Sequence, residues 1–196
     1  MGLKYEYTNG QTPIDEDEKT GLKIKTISTM GELDAFEQQN IEKAIQWSIK
    51  STFSVENVLT KEFIDRVHKK MFGNVWRLAG NFRQSNINIG VEYYLISQKL
   101  RIHVDNCKYW ITHQPLEPVE IAVRFKHGLV AIHLYPNGNG RHSRLMGDIL
   151  MESLGGNIFT WGSQTIAEDQ SRKEYISALK LADNGDFNKL ISFANK

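Results

Sequence analysis

Apolar side chains recur at three- and four-residue steps through most of this chain, the period of helices packed on one face. Leu33, Phe36, Ile41, Ala44, Ile45 and Ile49 form one such stripe between Gly31 and Lys50. A second helix is predicted from Thr60, as N-cap, to Gly73, burying Phe63, Ile64, Val67 and Met71. A third runs from Ser97, again a capping residue, through Leu100, Val104, Cys107 and Ile111. Pro118 suits the first turn of a fourth, which carries Ile121, Phe125, Leu129 and Ile132 up to His133. A fifth comes after Gly140 and stops at Gly155-Gly156, a C-cap signal. A sixth spans Arg172–Ala182, and Asp186 caps a last one.

The period changes once. Between Asn86 and Ile96, Ile87, Ile89 and Val91 alternate with polar neighbours around Gly90, which predicts a short β-hairpin. Residues 1–27 show little periodicity and hold Asp15, Glu16, Asp17 and Glu18 in a row, as in a solvated arm. Residues 28–196 then read as one mostly α domain with a single hairpin.

At 196 residues the chain is long enough for a full apolar core. Its 24 Lys and Arg against 23 Asp and Glu argue against a nucleic-acid binder that works by bulk positive charge. Cys107 is the one cysteine, so no intramolecular disulfide forms, which fits a reducing, cytoplasmic setting. No apolar run reaches the roughly 18 residues of a membrane span, and MGLKYEYTNG lacks the apolar stretch of a secretory signal. His68, His103, His113 and His127 match no zinc-ligand spacing. The four tryptophans read as core, with Trp161 near enough in sequence to residues 133–144 to approach a base bound there.

The candidate chemistry lies in that run, HLYPNGNGRHSR. Gly138 and Gly140 allow the positive-φ backbone that gathers N–H groups into an anion nest. A helix starting just after them adds exposed N–H groups and a favourable dipole. Arg141 and Arg144, at i and i+3, can send both guanidinium groups toward phosphate oxygens from one helical face. His133 ends an apolar helix five residues before the turn, where an imidazole serves as a general base near neutral pH. The alternatives are bland ones: a structural histidine, a tight turn and a solvated helix face. The three together read as a nucleotide site with a base beside it.

His-x-(Phe/Tyr)-x-x-Gly-Asn-Gly-Arg-x-x-Arg resembles the signature of the Fic-domain (Fic/Doc, Fido) family. The likeness extends to residues 59–90, where Ala79, Gly80, Phe82 and Arg83 match an Ala-Gly-x-(Phe/Tyr)-Arg turn. Residues 30–50, 116–161 and 172–195 are similar to the compact branch called mobile mystery protein B. The resemblance implies a Fic-type helical bundle, with its core at about 58–160 and the hairpin as a flap beside the active-site loop. It implies a protein adenylyltransferase moving AMP from ATP to a Ser, Thr or Tyr hydroxyl of a target protein. His133 would take the hydroxyl proton while Gly138, Asn139 and Gly140 hold the phosphates, the Asn139 amide donating to the α-phosphate. Arg141 would support the α/β-phosphates and Arg144 the terminal one. Ile89, Gly90 and Val91 would contact the target, although the same apolar positions also suit core cover.

Asn137 departs from the common pattern, in which Asp or Glu holds Mg²⁺ at this position. An amide oxygen brings no formal charge to a hard cation, so weaker metal binding is expected. This keeps open a degenerate Fic protein that binds nucleotide or a partner without efficient transfer. A third class, a DNA-associated accessory protein of a mobile element, rests on the branch resemblance alone. Glu56 lies four residues after Thr52 and precedes Asn57, the spacing of the family's inhibitory (Ser/Thr)-x-x-x-Glu-(Gly/Asn) helix; Ser28 with Glu32, and Glu37, are the other candidates. Target identity and base preference are not encoded in such patterns, and a homo-oligomer is compatible with the sequence.

Overall fold

Each apolar stripe in the sequence becomes a helix in the computed structural model, which describes residues 21–27, 29–113, 116–162 and 168–196. Most of the N-terminal arm expected at 1–27, and Ser28, lie outside the described residues. Helix α1 is Met30–Ile49, opened by a full capping box in which Thr29 and Glu32 each bond the other's backbone N–H. A one-turn helix α2, Val55–Val58, comes next under a Ser54 cap, with no periodicity to signal it. Helix α3 is Lys61–Phe72, with Thr60 accepting from the Phe63 N–H and Gly73 closing it, as the sequence predicts.

Helix α4, Ile96–His113, continues directly from a 3-10 turn at Tyr93–Leu95, so Ser97 lies inside the helix and does not cap it. Helix α5, Pro118–Ile132, has Pro118 in its first turn. Helix α6, Asn139–Ser153, starts inside the Gly-Asn-Gly run, one residue before Gly140. Helices α7, Glu168–Asp183, and α8, Asn188–Ala194, complete the described chain.

Helix α6 packs on α5, α3 and α2, so the motif helix lies at the centre. The larger core joins α1, α3, α4, α5 and α6 around Phe63, Ile64, Phe72, Phe125 and Leu150. A smaller core lies on the other side of α5, where Ala122 and Val123 meet Trp161, Phe193 and the inner faces of α7 and α8. Burying a side chain such as Phe63 or Ile64 is worth about 1.5–3 kcal/mol, so α3 is held chiefly by its packing. No helix among the described residues is long and apolar enough to cross a membrane.

Among the described residues no β-ladder forms; Leu22 and Trp76 make an isolated antiparallel bridge. The hairpin expected at 86–96 is instead a loop leading into the 3-10 turn. Side chains take the groups a ladder would pair. The Tyr93 N–H donates to Asn86 Oδ1 at 2.9 Å, and the Asn86 amide donates to Glu92. The Val91 carbonyl accepts from Arg83, and its N–H donates to the Ile132 carbonyl at 3.3 Å. This stitches the loop onto the end of α5.

Candidate active site

The α5–α6 connection, residues 133–138, carries the site. His133 sits just past Ile132 with φ 60 and ψ 68, a left-handed conformation that costs a non-glycine residue about 1–3 kcal/mol. Arg83 compensates from beneath. Buried to 2% exposure, it donates from Nε to the His133 carbonyl at 2.8 Å, and its N–H donates to the Leu134 carbonyl at 3.0 Å. Its two terminal nitrogens donate to the Ser85 and Val91 carbonyls. One guanidinium therefore fixes both the histidine and the loop beside it.

The imidazole of His133 is buried, with Nδ1 3.3 Å from the Val130 carbonyl oxygen. That contact is attractive only for an N–H, so the proton belongs on Nδ1 and the basic lone pair on Nε2. Burial pushes its pKa down to about 4, helped by the nearby Arg83 charge and opposed by the Val130 bond. The ring is a neutral base across the physiological range. Gly90 adopts φ +90, and a Cβ there would sit 2.5 Å from the His133 Cβ. Only glycine lets the loop lie this close to the base. Val91 is half-buried beside it, and Ile89 is 43% exposed at the outer edge.

Gly138 has φ +70, as the nest reading requires, and a side chain there would collide with the Phe72 ring. Gly140 differs: it is helical, and a Cβ would meet nothing within 4 Å. Its value is open space beside the backbone, not positive φ. The first ladder bond of α6 runs from the His142 N–H to the Gly138 carbonyl, and no side chain caps the helix. The N–H groups of Asn139, Gly140 and Arg141 precede that bond, as suits an anion cradle.

Asn139 plays another part than the one its family role implies. Its side chain is buried, accepting from the Tyr135 N–H at 2.9 Å and donating to the Tyr135 carbonyl at 2.7 Å. The amide thus closes the loop on itself, and the backbone of Asn139 is what faces the cradle. Arg141 and Arg144 do not fork together either. Arg141 reaches α1, where its Nη2 lies 2.5 Å from Glu37 Oε2, and it stacks over Phe72. Arg144 leans toward α7 over Tyr175, its Nε 3.4 Å from the Gly140 carbonyl. They flank the helix start from two sides.

Glu37 is buried, and its other oxygen accepts from Trp76 Nε1 at 2.5 Å. Of the candidate inhibitory glutamates, Glu37 is the one whose carboxylate contacts a motif arginine. Glu56 is exposed at the start of α2, its pKa lowered by its own backbone N–H and by Ser54. Asn137 is half-buried, and its carbonyl faces His68 Nε2 at 3.2 Å. No group of three or more His, Cys, Asp or Glu side chains that could hold a metal occurs among the described residues. Trp161 belongs to the smaller core, donating to Asp148 at 2.9 Å.

Sequence reasoning missed His68. It lies on the apolar face of α3 among Ile64, Val67 and Met71, and a lone histidine on such a stripe is the signal that could have found it. His142 is buried as well, bonded through Nε2 to the Ile64 carbonyl at 3.0 Å.

Residues 58–151 match the Fic/DOC family. The chain is 29% identical over 139 residues to Protein adenylyltransferase Fic of Drosophila mojavensis, covering 69% of this chain and 26% of that one. It is 25% identical over 157 residues to Protein adenylyltransferase Fic of Aedes aegypti, covering 78% and 30%. It thus spans less than a third of the length of these curated relatives. The N-terminal FIC domain of Bep8, a VirB-translocated effector of Bartonella sp. 1-1C, has the same fold, with TM-score 0.71, 16% identity and 90% of each chain covered. BepC of Bartonella tribocorum, solved with bound AMPPNP, superposes with TM-score 0.70 at 14% identity over 92% of this chain and 97% of that one.

Proposed function

We propose, from the Fic/DOC match over residues 58–151 and the fold shared with Fic domains, that this chain transfers AMP from ATP to a hydroxyl side chain of another protein. The observation that carries this reading is the pairing of a neutral, tautomer-fixed His133 with the uncapped start of α6 on one short, braced loop. The names of the curated relatives support the same activity.

In the proposed reaction the target hydroxyl oxygen attacks the α-phosphorus. A P–O bond forms to the target, the bond to the β-phosphate oxygen breaks, and pyrophosphate leaves. His133 Nε2 takes the hydroxyl proton, and the charge on the ring rests beside the Val130 carbonyl. The N–H groups of Asn139, Gly140 and Arg141 receive the negative charge on the phosphates, with Arg141 and Arg144 on either side. Ile89, Gly90 and Val91 form the rim along which a target segment would lie; the Val91 backbone is engaged by Ile132 and Arg83, so contact there would come from the exposed Ile89 side and from side chains.

Magnesium fits this site only in part. With no acidic cluster among the described residues, Asn137 would offer one neutral oxygen and the nucleotide's phosphates the rest. Bound there, the ion would neutralise phosphate charge. The chain's own contribution is to hold Asn137 at the mouth of the cradle.

Incubation with α-³²P-ATP and a cell lysate tests the activity. Label that depends on the added protein should appear from α-³²P-ATP and not from γ-³²P-ATP, and should fall by about 10²–10⁴-fold in His133→Ala. Equal labelling by wild type and His133→Ala would overturn the assignment.

A further inference from the structure

His68 uses both ring nitrogens on backbone groups of two different loops. Its Nδ1 accepts from the Gly80 N–H at 3.0 Å, twelve residues on. Its Nε2 faces the Asn137 carbonyl oxygen at 3.2 Å, sixty-nine residues on. Because Nδ1 is an acceptor, the proton belongs on Nε2, which donates to Asn137. The side chain is 1% exposed and stacked on Tyr135, with ring centroids 3.7 Å apart. Tyr135 is itself anchored by donating to Asp65 Oδ1 at 2.7 Å, so α3 holds this stack at two points.

The two backbone groups matter because of their neighbours in the chain. Asn137 opens the Gly-Asn-Gly turn. Gly80 begins the short segment to Arg83, whose guanidinium fixes the His133 carbonyl and the loop at Val91. His68 therefore ties the phosphate end of the 133–137 loop directly, and the base end through Arg83. A buried imidazole in the other tautomer would lose both bonds, and a protonated one would lose the bond from Gly80. Burial, together with the neighbouring His142 and Arg141, holds its pKa well below the usual histidine value, so the neutral form persists.

We propose that His68 is a positioning residue for nucleotide transfer: its two hydrogen bonds set Asn137 and the α6 start in register with His133. The inference rests on the proposed nucleotide reading. It does not make His68 a group that touches substrate.

The two arms can be cut separately. In His68→Asn the amide oxygen keeps the place of Nδ1 for Gly80 but the donor to Asn137 is lost. In His68→Gln the amide nitrogen reaches the place of Nε2 for Asn137 but the acceptor for Gly80 is lost. Both variants and the wild type would be measured for thermal midpoint, for binding of a fluorescent ATP analogue with and without Mg²⁺, and for labelling from α-³²P-ATP. The expected result is similar loss of thermal stability in both variants, with nucleotide affinity in Mg²⁺ falling about tenfold in His68→Asn and within threefold of wild type in His68→Gln. Transfer should follow the same order. Equal affinities in the two folded variants would overturn the proposal, since a merely structural histidine predicts no split. A wild type that binds nucleotide and shows the split, yet labels nothing, would remove the transfer reading and keep His68's role. A wild type that binds no nucleotide would remove both.

Discussion

At the scale of single residues, the two motif glycines are not equivalent, and that gives a sharp test of the cradle. Gly138 needs its positive φ and faces Phe72, so Gly138→Ala should cost about 1–3 kcal/mol of stability along with nucleotide binding. Gly140 is helical and faces open space. Gly140→Ala should therefore stabilise the fold by up to about 1 kcal/mol, the helix-propensity difference, while nucleotide affinity falls because the new methyl occupies the approach to the N–H groups. Thermal melts beside nucleotide titrations of both variants would show this. A Gly140→Ala protein that binds as well as wild type would mean the phosphates do not approach there. Asn137→Asp is the companion change: a formal charge at the mouth of the cradle should strengthen Mg²⁺-dependent nucleotide binding by about tenfold or more. Identical magnesium titrations for the two proteins would show that position 137 does not face the ion.

The elements were legible wherever one helical face carries the packing. Helices α1, α3 and α5 begin and end within a residue or two of their predicted bounds, α1 from its apolar stripe and the other two because Thr60 and Pro118 are start signals with a local cause. The 86–96 segment was not, because its alternation of apolar and polar positions says nothing about which partner takes the backbone groups. Asn86 and Arg83 took them, so a loop formed where a ladder was expected. In the site, the motif announced His133 and the glycines, but not the directions in which Asn139, Arg141 and Arg144 point. For the two arginines those directions depend on α1 and α7, more than twenty residues away in either direction. The Glu37–Arg141 ion pair is the clearest case, joining residues 104 apart. Phosphate and Glu37 compete for the same guanidinium, so Glu37→Gln should raise nucleotide affinity several-fold. It should cost about 1 kcal/mol of stability, because the amide oxygen can keep the Trp76 bond while the ion pair to the partly exposed Arg141 is lost. Unchanged affinity with lowered stability would make α1 a brace only. Glu56→Gln, on an exposed cap, should change neither.

Across the whole molecule, the buried histidines make the fold sensitive to acid. Burial is the leading cause of lowered pKa for His68, His103, His127, His133 and His142, with His133 and His142 each brought to about 4. The unfolded chain titrates its histidines near pH 6.5, so between about 6.5 and 4 it binds more protons than the native state. Stability is therefore present in full above about pH 6.5 and is lost as pH falls toward 4. His133 and His142 alone put several kcal/mol at stake, on the order of 3 kcal/mol each at full titration, against a typical total of about 5–15 kcal/mol. Asp148 works the other way. Burial raises its pKa to about 7, so the native state holds its proton longer than the unfolded chain, and stability falls as pH rises from about 4 to 7. Several histidines outweigh one carboxyl, and the thermal midpoint should drop steadily between pH 6.5 and 4.5. His142→Gln, whose amide can still donate to the Ile64 carbonyl, should move the acid transition lower; Asp148→Asn should raise the midpoint at pH 7–8 and leave that at pH 4 unchanged. Melting curves for the three proteins across pH 4–8 decide it. A wild-type midpoint that stays level from pH 6.5 to 4.5 would mean these imidazoles accept protons without opening the core, against the desolvation that their burial imposes on the charged form.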